Sequence, residues 1–412
     1  MVGTVRAASR TSPSPPVTGT DRDLTAAPAD AAHAADAEAA AVEEAAESGH
    51  VDFRCTNCGA PMAWDPGVDA LACEYCDNVV PVPRGEGSIL ERPLAAARGL
   101  PRGFGRELRV TSCRNCGAKV SFDESSVSED CVYCGSSSVL SQEANRNALA
   151  PESVVPLDLS RDEVRDRFRA WSKRLWFRPN ALKTARDVRA TGIYVPFWTY
   201  DCAVHSQWSA DSGTYYYVTR PTTVMVNGKP TIRMERVRKT RWRPAWGERD
   251  DAYDDCLVPA SKGLPPEKLA KLGGFDISGL VPYRPEYLAG WRAEEYDLDL
   301  EAGWEKALRS VESSQRSRCA GDVPGDTYRD LRVRNVVRDV RWKHVLLPVW
   351  SLQYVLTGKT YTVLVHGQTG RVVGEAPYSV AKILAVVLLI AVPLLAFLFG
   401  GALLAALGAL FS

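Results

Sequence analysis

Eight of the eleven cysteines fall into four Cys-x-x-Cys pairs, and their spacing restricts the fold more than any other feature of the chain. Cys55 and Cys58 are followed after fourteen residues by Cys73 and Cys76; Cys113 and Cys116 are followed, again after fourteen, by Cys131 and Cys134. A shift of 58 positions superposes all eight without a gap. It also lays Gly59 on Gly117, Ala60 on Ala118, Asp65 on Asp123, Tyr75 on Tyr133 and Trp64 on Phe122. The block is an internal duplication. Two residues between thiolates let one tight turn present both sulfurs to a single ion, and Gly59, Gly117 or Gly135 after a second cysteine permits that turn. The fourteen-residue excursion is long enough for a short antiparallel hairpin that returns the second turn opposite the first.

Both motifs resemble zinc ribbons. A closed four-cysteine site leaves no open coordination position, so the ion holds the fold and activates no water. Two structural zinc ions per chain are expected; iron in a rubredoxin-like site uses the same ligands, and the sequence leaves that open. A disulfide-exchange role would need an exposed pair beside a βαβ pattern, which is missing. The remaining Cys202, Cys256 and Cys319 have no local partner and read as buried thiols. Ligand thiols imply a reducing compartment. Both modules are acidic. Arg54 stands against Asp52, Asp65, Asp69, Glu74 and Asp77, and Arg114 with Lys119 against Asp123, Glu124, Glu129 and Asp130. Phosphate contact needs the opposite sign, so the modules point to protein partners.

The two ends of the chain are unlike. Residues 1–50 hold fifteen alanines and eight acids against three bases, with no apolar stripe, and read as a disordered acidic arm. From Ile383 to Phe411 run twenty-nine residues without a charge. As a helix they would reach about 43 Å, more than a hydrocarbon core of roughly 30 Å requires. One C-terminal transmembrane helix within 381–412 is expected. Arg371 and Lys382 precede it, which keeps residues 1–380 in the cytoplasm by the positive-inside tendency.

The chain of 412 residues carries 50 basic and 50 acidic side chains, so any pull on nucleic acid must be local. Residues 81–110 form a Pro-, Gly- and Arg-rich linker between the ribbons at 51–80 and 111–140. Residues 150–380 read as an α+β domain with antiparallel sheet. Ser160 and Glu163 make a capping box, and Val164, Phe168, Trp171 and Leu175 form the apolar stripe of a helix that should stop near Arg178-Pro179. Ile193–Tyr200 reads as a strand, with more strands to about Trp246 and a hairpin at Asn227-Gly228. A second β run covers Val345–Val365, turning at Thr357-Gly358-Lys359 and again at Gly367–Gly370. Pro196-Phe197-Trp198-Thr199 matches Pro348-Val349-Trp350-Ser351 at an offset of 152, a sign of two related halves. Trp304, Leu308 and Val311 mark another helix.

No catalytic residues are expected, and the chain is not read as an enzyme. Gly358-Lys359-Thr360 lacks the glycine of a phosphate loop five positions earlier, where Gln353 stands, and no His-Glu-x-x-His or Gly-x-Ser-x-Gly pattern occurs. His344 and His366 read as structural. The basic strand Arg233, Arg236, Arg238, Lys239, Arg241 and Arg243, with Trp242, reads first as a solvated face partly neutralised by Asp250, Asp251, Asp254 and Asp255. The same pattern suits anionic lipid headgroups and single-stranded nucleic acid.

The order of parts resembles a family of bacterial membrane-anchored tandem zinc-ribbon proteins. The resemblance covers roughly residues 51–395 and rests on the ribbons, Phe168–Phe177, Tyr194–Asp201, His344–Trp350, Gly367–Gly370 and the C-terminal span. Members are labelled transcription-factor-B-type zinc-ribbon or primosomal helicase-like proteins, and some are associated with membrane-stress scaffolds. The C-terminal anchor and the acidic ribbons together are read as a single-pass, tail-anchored cytoplasmic adaptor or scaffold that recruits protein partners through its ribbons. The helicase-like label implies an alternative, a nucleic-acid-binding protein linked to replication or transcription.

Overall fold

A computed structural model describes residues 53–410, except 84–88, 97–99, 101, 105–108, 123–129, 138, 144–147, 184–187, 227–228 and 357, with side chains in the last helix as far as Leu395. The acidic arm, part of the 81–110 linker and the Asn227-Gly228 turn lie outside the described residues. Everything below belongs to the compact unit Gly49–Ser412.

The first ribbon is a three-stranded antiparallel sheet of β1 (Ala63–Asp65), β2 (Ala70–Ala72) and β3 (Val79–Pro81). Trp64 faces Leu71 across the β1–β2 hairpin and is buried. Its turn is closed locally: the Gly67 amide donates to Asp65 Oδ1 at 2.8 Å, and Asp69 takes a positive φ of 55°. After β4 (Arg92–Pro93), the second ribbon is built from β5 (Arg109–Cys113), β6 (Lys119–Phe122) and β7 (Val139–Glu143), with β5 in the middle.

The rest alternates short strands, helices and three very long strands. β8 (Ser153–Val154), α1 (Arg161–Arg174) and α2 (Asn180–Lys183) lead into β9 (Arg189–Val226), which returns as β10 (Lys229–Tyr253). β11 (Val258–Pro259), α3 (Pro266–Leu272), β12 (Val281–Pro282), β13 (Arg292–Glu294) and α4 (Leu300–Asp322) lead into β14 (Thr327–Leu356). β15 (Lys359–His366), β16 (Val372–Gly374) and α5 (Val380–Leu410) complete the chain. The capping box forms as expected: the Ser160 amide donates to Glu163 Oε2 at 2.8 Å, and the Glu163 amide returns to Ser160 Oγ at 3.3 Å. Val164 and Phe168 are buried, with Trp171 and Leu175 at the rim. The helix ends at Arg174, earlier than Pro179 requires, and residues 175–178 continue as tight turns.

The sequence expected several strands up to Trp246, and the structure makes them two. β9 pairs with β14 from Arg189 to Gly213 and with β10 from Cys202 to Val226. Pro221 does not break it, because β14 has already ended there and that edge needs no donor. The repeated Pro-x-Trp motifs lie on the antiparallel neighbours β9 and β14, symmetric about the pair Val195–Leu347. β13 runs parallel beside β9 at Tyr194, and β8 runs parallel beside β14 at Leu346, again 152 positions on. Each half therefore supplies a short strand, a helix and a long strand, and each short strand flanks the other half's long one.

The core sits where these layers meet. Trp198, Trp342, Trp350, Tyr194, Tyr200 and Phe168 are buried there. α4 lies on the sheet through Leu300, Gly303, Ala307, Val311, Gln315 and Cys319, spaced three or four apart. A side chain at Gly303 would strike Tyr200 and Trp198, so the helix needs small residues for close approach. Trp304 and Leu308, which marked this helix in the sequence, sit beside the stripe half-buried. The second ribbon is part of the large sheet: β6 pairs with β13 at Ser121–Ala293 and Val120–Glu294. The transmembrane helix expected within 381–412 is not met among the described residues, where no helix is long and apolar enough to cross a membrane; the side chains of α5 are described only as far as Leu395.

Candidate metal centres and basic arm

The sequence duplication becomes a fourfold structural repeat. The amides of Gly59, Asp77, Gly117 and Gly135 each return to the carbonyl of the first cysteine of their pair, at 2.8–3.0 Å. Their φ angles are 74°, 55°, 77° and 69°. Asp77 holds this left-handed position without being glycine, which short Asp side chains tolerate better than most. These knuckles gather Cys55, Cys58, Cys73 and Cys76 into one group and Cys113, Cys116, Cys131 and Cys134 into a second, with the sulfurs of each group within 4.8 Å of one another. The shortest separations are 3.5 Å for Cys55–Cys76 and Cys58–Cys73, and 3.6 Å for Cys113–Cys134 and Cys116–Cys131. A tetrahedral zinc ion with Zn–S near 2.3 Å puts its sulfurs about 3.8 Å apart. Both tetrads are positioned to bind metal ions, and their donor set is one that zinc takes.

The electrostatics agree. A hydrogen bond from Cys116, reinforced by nearby backbone amides, holds the Cys131 thiol down to about 5 despite its burial. Burial raises the Cys55 thiol, but the amides of Cys58 and Asn57 outweigh it and hold it at about 6. Their neighbours Cys58, Cys116 and Cys134 are pushed upward in the same tetrads, so all four thiols of a tetrad ionise together only around a cation. Asn78 Nδ2 reaches Cys55 Sγ and Asn115 Nδ2 reaches Cys134 Sγ, both at 3.5 Å, giving each tetrad an outer amide donor that orients its sulfur.

The two ribbons are seated differently. Tyr133, between Cys131 and Cys134, is buried and donates to Glu294 Oε2 at 2.6 Å. Ser261 Oγ donates to the same oxygen at 2.7 Å and the Gly263 amide to Oε1 at 3.1 Å. Burial nonetheless pushes the Glu294 carboxyl up to about 7. Gln353 Nε2 binds the Cys131 carbonyl at 2.6 Å, and Ser351 Oγ binds that of Val132. Ribbon 1 is held from its other side. Trp64 packs edge-on against Tyr287, ring centres 4.8 Å apart, and its backbone bonds to Ala289 and to Trp291 Nε1. Tyr75, the counterpart of Tyr133, is left 77% exposed, and Val79 and Val80 of the same ribbon are exposed too. A cleft of about 250 Å³ next to Cys116 and Tyr133 falls just below the range of small-molecule sites, roughly 300–1,000 Å³.

The basic strand divides. Side chains alternate across a strand, so Arg236, Arg238 and Trp242 share one face with Tyr215 and Tyr217. Arg233, Lys239, Arg241 and Arg243 take the other face with Tyr216. Arg236 stacks over Tyr217 at 4.1 Å, Arg238 over Tyr215 at 4.3 Å and Arg241 over Tyr216 at 5.4 Å; Arg329 from β14 covers Trp242 at 4.4 Å. The expected neutralising acids act elsewhere. Asp250 meets His205, Asp251 holds Arg249 and Arg318, and Asp255 holds Lys343. None of the six basic residues has an ion-pair partner among the described residues. Beyond Gly213 the β9–β10 hairpin continues alone for thirteen residues of β9, roughly 40 Å at 3.3 Å per residue.

Other candidates resolve into structure. His344 Nδ1 donates to the Leu149 carbonyl at 3.1 Å, and His366 Nε2 donates to that of Gly274 at 3.2 Å. Glu91, Asp201 and Asp254 converge, but Lys343 Nζ already pairs with Glu91 at 3.1 Å and with Asp255 at 2.8 Å. Cys202 and Cys319 are buried and Cys256 half-buried. Gly358 lies in the β14–β15 hairpin turn. The sequence did not single out Asn78, Asn115, Glu294 or the three tyrosines. Only Asn78 and Asn115 carried a signal, as amides beside or between ligands.

The fold and its tetrads define a two-ribbon metal-binding protein on a large, mostly antiparallel sheet. The chain is 26% identical over 347 residues to the uncharacterized protein YdjG of Bacillus subtilis, covering 81% of this chain and 92% of YdjG. No family model and no solved structure matches it.

Proposed function

We propose that the protein is a membrane-anchored cytoplasmic adaptor: α5 holds it in the bilayer, and the zinc ribbons recruit protein partners. The observation that carries this reading is the unequal seating of two duplicated modules. Tyr133 of ribbon 2 is spent inside on Glu294, whereas Tyr75 of ribbon 1 stands 77% exposed with Val68, Val79 and Val80. Asp69, Glu74 and Asp77 of the same ribbon are exposed as well, so a partner that offers both apolar and basic groups suits it. The closed tetrads supply no reactive position, which suits two structural zinc ions. The anchor is supported by the exposed apolar side chains of α5, including Leu384, Val387, Leu389, Ile390 and Leu395. Cross-linking and co-purification of the full chain with Tyr75→Ser should lose partners while metal content is unchanged. An identical partner set would remove ribbon 1 from recruitment.

A second reading concerns the β9–β10 arm, where seven basic side chains between residues 214 and 241 meet Glu235 as the sole acid. Arginines stacked on tyrosines offer a surface for single-stranded nucleic acid. Binding of an oligonucleotide to the full chain should then weaken steeply with salt, and no binding at low salt would dismiss the reading.

A further inference from the structure

The turn after α1 and the first turn of α5 are clamped together, and what they expose is aromatic. Lys382 Nζ donates to the carbonyls of Trp176 and Arg178 at 3.2 and 2.7 Å and to Asn180 Oδ1 at 2.7 Å. The Ser379 amide donates to the Phe177 carbonyl at 2.8 Å, and the Arg178 guanidinium lies 3.5 Å from the centre of the Tyr378 ring. Segment 176–180 is thereby tied to the helix at the level where its charge-free run begins, at Ile383. Trp176 remains 58% exposed, Phe177 43% and Tyr378 65%, with the Trp176 and Phe177 rings edge-on at 5.0 Å. Lys382 spends its ammonium on backbone carbonyls, a costly fixation of a long side chain unless the position of this segment matters.

We propose that Trp176, Phe177 and Tyr378 form an interfacial belt that seats the base of the sheet domain on the bilayer. The proposal rests on the anchor reading of α5 and adds where the domain meets the lipid. Aromatic rings prefer the headgroup boundary, and a basic residue there keeps its charge in the headgroups. The apolar surface of α5 begins one residue after Lys382, so the belt and the exposed apolar helix are continuous. This seating orients the molecule. Asn180 is nine residues from the start of β9 at Arg189, at most about 32 Å of chain. The far end of β9, at Val226, lies thirty-seven residues beyond, roughly 120 Å of strand path. The basic arm therefore lies at the opposite end of β9 from the clamp, and with the belt on the bilayer we place the arm off that bilayer.

The test uses the full chain in vesicles of phosphatidylethanolamine and phosphatidylglycerol, with a benzophenone amino acid at position 176, 177 or, as the arm control, 217. After irradiation, mass spectrometry should find phospholipid adducts at 176 and 177 and none at 217. Quenching by brominated lipid should also be weaker in Trp176→Phe than in the parent, which isolates this tryptophan from the other ten. A chain that floats with the vesicles yet gives no adduct at 176 or 177, or gives one equally at 217, overturns the belt and leaves the anchor standing. A chain that does not float overturns the anchor and the belt with it.

Discussion

His344 shows how much one side chain can be fixed by its surroundings. It lies in the core against Trp198 and Tyr296, with ring centres 4.8 and 5.5 Å away. Nδ1 faces a carbonyl and so carries the proton; Nε2 is buried without a partner. Protonating Nε2 would place an unpaired charge in the core, and burial accordingly pulls the His344 pKa down to about 4. The folded value lies below the unfolded value near 6.5, so the stability it contributes is complete above pH 6.5 and is lost as pH falls toward 4. The full swing is about 3 kcal/mol. Thermal midpoints of the parent and His344→Asn, compared from pH 7.5 to 4.5, should converge as acid removes the parent's advantage. Comparing the two cancels the acid loss of metal common to both. A constant difference would contradict the buried neutral ring. The metal ligands were legible because spacing alone decides whether two thiolates reach one ion. Tyr75 and Tyr133 were not distinguishable, because their fates depend on Glu294, which is 161 residues from Tyr133 in sequence.

At the scale of elements, local chemistry gave type more readily than extent. The α1 cap lies within four consecutive residues, so the sequence carries all of it. The length of β9 does not lie within β9. It is set by β14 as far as Gly213 and by β10 beyond, partners that no local pattern reveals. The helix marked by Trp304, Leu308 and Val311 forms, but most of its buried stripe was not legible for a related reason: Gly303 and Ala307 pack against the sheet because they are small, and small residues carry little apolar signal. Apart from the Tyr215 amide, which donates to Asp326 Oδ2, the described strands of the arm beyond Gly213 pair only with each other, so residues 216–239 should be dispensable for folding. Replacing residues 216–239 by Asn-Gly would join the facing residues Tyr215 and Thr240 through a two-residue hairpin turn. That variant should keep both metal ions and a thermal midpoint close to the parent's, measured by metal analysis and melting. Loss of metal or a broad, early transition would mean that the arm supports the core.

For the whole molecule, the basic arm lies at one end of β9, while ribbon 2 is docked on β13 and β14. Ribbon 2 is paired to β13 and bonded to β14, whereas ribbon 1 forms its own sheet and docks through Trp64. Cys58 of ribbon 1 is exposed, and all four ligands of ribbon 2 are buried or half-buried. A chelator reaches a metal through the exposed side or through local opening, and opening is easier where less of the backbone is tied into the sheet. Truncation after Lys382 separates this behaviour from the proposed anchor. The shortened chain should move to the soluble fraction if the proposed anchor is right, because the described side chains of α5 add exposed apolar surface and none of the buried core. It should still carry two ions and release them to a chelator in two phases, the faster one lost first from ribbon 1. Cys58→Ser should abolish the fast phase, and Cys116→Ser the slow one. A single phase for both ions would mean that the ribbons open together with the sheet; a truncated chain that stays with the membrane would mean that α5 is not what holds it there.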